Sequence, residues 1–154
     1  MGKYNFVADL KNSKASVIES AELLIDTYNA EILDLNDTKD YDIRAEINGH
    51  EYLFEVKEDF MCGDTNNVAL EYHSRGKPSG ISTTNAHYYI YKLHTKDRIR
   101  YILLDVKKIK KSIEDEVYFR EVNGGDWGSN TLCYLYKLDK FMKLGWELRG
   151  QNGL

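Results

Sequence analysis

Proline occurs once and cysteine twice in 154 residues, and neither glycine nor serine collects into tracts. That scarcity excludes a long linker or a low-complexity region and favours one packed domain over residues 1–154. Cys62 and Cys133 stand alone, without Cys-x-x-Cys spacing or a neighbouring histidine pattern, which argues against a zinc site or a disulfide framework. Both are expected to be reduced structural thiols. His50, His73, His87 and His94 lack HxH or HxxxH spacing, so zinc-hydrolase chemistry has little support, although His73 and His87 are candidates to flank a site. Gly124-Gly125-Asp126 is not followed by Lys-Ser or Lys-Thr and is not a P-loop.

No apolar run approaches the roughly 20 residues of a membrane helix. The polar start Met1-Gly2-Lys3-Tyr4-Asn5 lacks a signal-peptide pattern, and Phe6 stands where a myristoylation motif wants Ser or Thr. A cytoplasmic protein with no membrane partner is expected. The net charge of −4 excludes a global positive field for holding nucleic acid. Cations nevertheless gather at Arg75 to Lys77, Lys92 to Arg100 and Lys107 to Lys111, so a local basic face is open to the chain.

Apolar periodicity predicts a helix over about 14–28, with Val17, Ala21, Leu24 and Tyr28 as its buried stripe and Ser13 or Ser16 as its cap. Ile32 to Leu35 reads as an edge strand, Asn36 to Asp40 as a turn, and Glu58 to Asn67 as a loop. Val68 to His73, Ala86 to Leu93, Arg98 to Leu104 and Thr131 to Lys137 read as strands, Val106 to Ile113 as a basic helix, and Leu138 to Leu144 as a last helix closed by Gly145. The fold class is therefore α/β or α+β, a single domain with a central mixed sheet flanked by helices.

The strongest local signal is a hairpin. Ile43, Ala45 and Ile47 alternate with Asp42, Arg44 and Glu46, Asn48-Gly49 is a type I′ turn, and the return strand alternates Tyr52, Phe54 and Val56 with Leu53, Glu55 and Lys57. Period two puts Glu55 and Lys57 on one face. Because apolar residues fill both faces of that strand, its charges need a partner or a metal. Phosphodiester hydrolysis has a use for such a set: Asp42, Glu55 and the Val56 carbonyl are hard-oxygen candidates for Mg²⁺ or Mn²⁺, and Lys57 is suited to orienting a water. The polar loop of Lys77, Ser79, Ser82, Thr83 and Thr84 is a candidate grip for DNA phosphates. Tyr88, Tyr89, Tyr91 and Tyr101 sit at strand spacing and are expected to serve mainly as core or cross-strand pairs rather than as base-stacking groups.

Asp42 followed across the hairpin by Glu55-Val56-Lys57 resembles the core of the PD-(D/E)xK nuclease superfamily, with Tyr41 in place of the proline. Asn67 to Glu71, Gly76 to Ile81 and Thr84 to Tyr89 are similar to small phage-type members of it, near the Holliday-junction resolvases, over about residues 14–105. The resemblance implies a restriction-endonuclease-like core and a Mg²⁺- or Mn²⁺-dependent deoxyribonuclease with Asp42, Glu55 and Lys57 at its centre. It also implies Glu71, on the strand beside the hairpin, and Glu19, from the first helix, as further carboxylates of the site. The place of action would be the host cytoplasm if the chain is phage-encoded. Endonucleolytic cutting of both strands would imply a homodimer. The alternative is a nuclease-fold module that binds DNA or protein without cutting. Gly76, Pro78 and Gly80 make the family's helix after the third strand hard to place.

Overall fold

A computed structural model describes residues 14–36, 40–124 and 128–149. The expected Ser13 cap, the middle of the Asn36 to Asp40 turn and the Gly125 to Trp127 part of the glycine loop lie outside the described residues. Helix α1 (Ala15–Tyr28) is followed by strands β1 (Glu31–Leu35), β2 (Ile43–Ile47) and β3 (His50–Asp59), then by helix α2 (Cys62–Thr65). Next come β4 (Asn67–Ser74), β5 (Lys77–Pro78), a 3-10 turn at Gly80–Ser82, β6 (Tyr88–His94), β7 (Ile99–Asp105) and α3 (Val106–Glu114). The chain continues through β8 (Arg120–Gly124), β9 (Thr131–Lys137), α4 (Leu138–Met142) and β10 (Trp146–Leu148). No helix among the described residues is long and apolar enough to cross a membrane.

In the α1 stripe Val17, Ala21 and Leu24 are buried as the spacing predicts, while Tyr28, expected with them, is only partly buried. Its cap differs: Ser16 lies inside the helix and Lys14 precedes the first turn without a side-chain cap. Asn29, in the left-handed conformation at φ 55°, ends the helix. The hairpin is as read, with Asn48 at φ 52° and Gly49 at φ 81°, the two positive values that a type I′ turn demands.

The fold is α+β with two sheets. The first is mixed and six-stranded, ordered β1-β2-β3-β6-β7-β10, with β3 and β6 parallel. The second is antiparallel, ordered β5-β4-β9-β8. This corrects the expectation of one central sheet. It also corrects the placement of the strand bearing Glu71 next to the hairpin, because β3 is flanked by β2 and β6 while β4 pairs with β9. The cause is local: β3 runs on to Asp59, and α2 with a left-handed Asn66 then turns the chain out of the first sheet. No long helix follows the third strand. Only α2, β4, β5 and the 3-10 turn stand between the parallel partners β3 and β6.

Strand alternation divides the interior in two. Phe54, Ile90 and Leu103 join α1 and the first strands in one core, whereas Tyr89, Tyr91, Ile102 and Leu104 join the second sheet, α3 and α4 in the other. Lys57 and Glu55 therefore sit on the side of Tyr89 and Tyr91, their register partners on β6.

Candidate active site

Asp42 occupies the position just before β2. Its N–H donates to the Phe54 carbonyl at 2.9 Å, and its Oδ2 accepts the Val56 N–H at 2.7 Å. Beyond Ile43 the strand supplies no further ladder partner, so the Asp42 side chain takes over the pairing that a backbone carbonyl would otherwise give. The N–H and C=O of one strand residue point to the same edge. The Val56 carbonyl therefore faces the Asp42 side of β3.

Glu55, one residue earlier, is bound twice: Lys57 Nζ lies 3.0 Å from Oε2, and the Thr84 hydroxyl donates to Oε1 at 3.3 Å. Burial pushes the Asp42 carboxyl up, and the Glu55 charge adds to that; the Val56 N–H and the Lys57 and Lys14 charges pull the other way without cancelling it. Asp42, Glu55, Val56 and Lys57 thus come together as the sequence suggests. Two acids and a carbonyl are hard oxygen donors of the kind Mg²⁺ and Mn²⁺ take, and a cation would relieve the strain of a half-buried acid beside a second one. Among the described residues no group of three or more His, Cys, Asp or Glu side chains is arranged to hold a metal.

Glu71 reaches the neighbourhood from the second sheet. It borders a cleft of about 250 Å³ with Lys57, Asp59, Gly80, Tyr89 and Cys133. The Ser79 hydroxyl donates to its Oε2 at 2.8 Å. The structure does not bring Glu19 to this centre. Its Oε1 lies 2.6 Å from Lys92 Nζ and also accepts the Tyr101 hydroxyl. Lys92 is paired in register with Glu58, whose Oε2 lies 3.7 Å from its Nζ, and Glu58 follows Phe54 and Val56 in the face that looks to α1. The physical reason is a buried ammonium: Lys92 is 8% exposed and needs counter-charge, which Glu19 and Glu58 supply.

The loop residues divide. Lys77 and Thr83 are exposed. The Ser79 and Thr84 hydroxyls, expected to grip phosphates, instead tether Glu71 and Glu55. Ser82 donates to the Tyr72 carbonyl at 2.8 Å, and it ends the 3-10 turn rather than starting a helix. His87 Nδ1 accepts the Leu53 N–H at 2.9 Å and so anchors β3. The tyrosines behave as core and cross-strand groups, Tyr88 stacking on Phe54 with centroids 5.6 Å apart. Lys14 is a group that sequence reasoning missed: no local pattern ties the residue before α1 to Asp42, whose carboxyl feels its positive charge.

No protein-family model, curated protein or solved structure matches this chain.

Proposed function

We propose that the protein is a Mg²⁺- or Mn²⁺-dependent deoxyribonuclease of the PD-(D/E)xK kind, acting on DNA in the cytoplasm. The observation that carries the reading is the 2.7 Å bond from the Val56 N–H to Asp42, which gathers two carboxylates, a carbonyl and a lysine at one strand edge. The order α1, β1 and the β2–β3 hairpin, followed by a parallel partner strand, supports it further.

In this reading Asp42, Glu55 and the Val56 carbonyl hold the cation. When bound, the metal neutralises charge on the scissile phosphate and lowers the pKa of a coordinated water. Asp42 is held in place by its bond to Val56, so its carboxylate needs no reorganisation to serve as a ligand. Lys57 already touches Glu55 and is partly open to solvent, with 39% of its side chain exposed. It orients the attacking water and faces the charge that develops on the phosphate. The described residues form one such centre, so concerted cutting of both strands of a duplex would take two copies.

Incubation of the purified protein with end-labelled linear, nicked and branched DNA, with and without Mn²⁺, tests the proposal. Metal-dependent cleavage that disappears in Lys57→Ala is the expected result. DNA that stays intact in every form, or cleavage indifferent to Lys57→Ala, would sink the enzyme reading and leave a binding module.

A further inference from the structure

Past the end of α1, the sheet face that the helix covers is lined by aromatic rings. Tyr28, Tyr52, Phe54, Tyr88 and Trp146 border a cavity of about 210 Å³ there. Phe54 is buried, but Trp146 is 42% exposed, and exposed tryptophan is enriched where proteins bind partners. Its indole is also held in place, since Nε1 donates to the Tyr28 hydroxyl at 2.5 Å.

A second cavity, of about 340 Å³, adjoins the first at Tyr52 and Tyr88, which line both. Its wall is basic: Lys107 and Lys110 of α3 stand with His87 and Thr84. Helix α3 places four lysines in nine residues, in a chain whose net charge is −4. Lys111 pairs with Asp115 at 3.2 Å, whereas Lys107 and Lys110 have no ion-pair partner among the described residues. Asp105, the one acid in this wall, is engaged in capping α3, its Oδ1 accepting the Lys107 N–H at 2.8 Å. His87 Nδ1 accepts the Leu53 N–H, so the neutral ring carries its proton on Nε2 and is a donor there. Positive charge borders the aromatic cavity too, because Lys108 Nζ lies 5.9 Å from the centre of the Trp146 ring. That is the outer limit of a cation–π contact, weak enough at an exposed site for another group to take the ring face.

Flat rings beside unpaired cations complement an aromatic base joined to an anion. Base faces are open only in an unpaired strand, since in a duplex they stack on one another. We infer that these adjoining cavities bind single-stranded DNA, a base stacking on Trp146 and the phosphates pairing with Lys107 and Lys110. The inference rests on the nuclease reading for the strand's destination. Thr84 borders the basic cavity and donates to Glu55 Oε1 at 3.3 Å, so a strand lying there reaches the proposed centre past one side chain. The substrate is then DNA with a single-stranded part rather than a blunt duplex.

The experiment uses the full chain in EDTA, where no metal-dependent cutting occurs, and reads fluorescence anisotropy with labelled probes of equal length: a mixed-sequence single strand, an abasic strand and a blunt duplex. The single strand is expected to bind more tightly than either of the others. Trp146→Leu should weaken it about 5- to 150-fold, the range for one base stacked on an aromatic ring, and leave the abasic strand unchanged. Trp146→Phe, which keeps a ring, should retain most of the binding. Lys107→Gln with Lys110→Gln should lower the slope of log affinity against log salt by about 0.7 for each lysine. Equal binding of the single and abasic strands, or wild-type binding by Trp146→Leu, would overturn the inference. So would a dimer that Trp146→Leu splits in light scattering without altering DNA binding, since the groove would then be a contact between copies. Should Trp146→Leu fail to fold, the abasic comparison and the lysine pair decide. Cleavage of the same single strand in Mn²⁺ is read separately. A protein that binds it as described and cuts nothing loses the nuclease reading and keeps this site. One whose cutting is sensitive to Lys57→Ala, while Trp146→Leu binds as wild type, keeps the nuclease reading and loses this site.

Discussion

Asp42 holds the main-chain N–H of Val56 through Oδ2 at 2.7 Å, so one carboxylate both completes a strand and faces the proposed centre. The two roles make different demands. Pairing an N–H needs an oxygen acceptor, whereas holding a divalent cation needs the negative charge.

Asparagine separates them. Asp42→Asn keeps an acceptor for Val56 and is expected to fold with nearly wild-type stability, whereas Asp42→Ala strands the N–H and costs about 1–3 kcal/mol. Both variants should lose more than about 100-fold in Mn²⁺ affinity, the upper end of what groups merely supporting a ligand contribute. Chemical denaturation and calorimetric titration with Mn²⁺ check the pair. Unaltered Mn²⁺ binding by Asp42→Asn would remove Asp42 from the ligand set.

The pH dependence follows from the direction of the Asp42 shift. Burial first, and the Glu55 charge after it, raise the folded-state pKa above the unfolded one, so the folded protein binds the extra proton. The resulting stability is fully present below the unfolded pKa and is lost as pH rises through the folded pKa. Wild type should therefore fall progressively behind Asp42→Asn across that window, and Mn²⁺ should restore the loss above it. Thermal midpoints of both proteins against pH, with and without Mn²⁺, give the comparison. Parallel curves would show that the carboxyl is not strained.

Much of the centre was legible because its cues are short-range. The Asn48-Gly49 turn sets the register that pairs Ile43 with Phe54, and period two then puts Glu55 and Lys57 on one face. The β6 and β7 strands were legible too, as apolar runs either side of a charged turn. The second sheet was not. Val68 finds Tyr136 far along the chain, and β8 is a charged edge of five residues; in the first sheet the edge strand β10 has only three residues, too few to show a period. Glu19 failed for the same reason: no local pattern ties it to Lys92, 73 positions away.

Gly80 joins the two halves of the cleft by close approach. At φ +52° a Cβ there would lie 2.2 Å from the Glu71 carbonyl oxygen, a contact that backbone must move to relieve. Gly80→Ala should cost about 2–4 kcal/mol from overlap and left-handed strain together. Gly49→Ala, at φ +81° with open space around it, carries only the conformational part, about 1–2 kcal/mol. Urea unfolding of the two variants ranks them, and equal losses would mean that Gly80 has room beside β4 for a Cβ.

Glu19 provides the sharpest separation between structural charge and the proposed centre. Its carboxylate and Glu58 neutralise Lys92, whose side chain is 10% exposed, while Glu19 itself is 43% exposed. Glu19→Gln removes one counter-charge from a buried ammonium but leaves Glu58, so the cost should be about 1–2 kcal/mol once solvent screening of the exposed partner is allowed for. Burial pushes the Glu19 carboxyl up, but the hydrogen bonds from Lys92 and Tyr101 and the charge of Lys92 outweigh it and leave the pKa below the ordinary glutamate value. A depressed acid contributes stability above its unfolded pKa and loses it as pH falls through the folded one. The gap between wild type and Glu19→Gln should therefore be full at neutral pH and close in acid, where both side chains are neutral. Because Glu19 serves Lys92 on the α1 side of the sheet, Glu19→Gln should leave kcat/KM for Mn²⁺-dependent cleavage and the Mn²⁺ affinity unchanged. A fall in both at an unaltered thermal midpoint would instead return Glu19 to the metal site and overturn its assignment as a counter-ion.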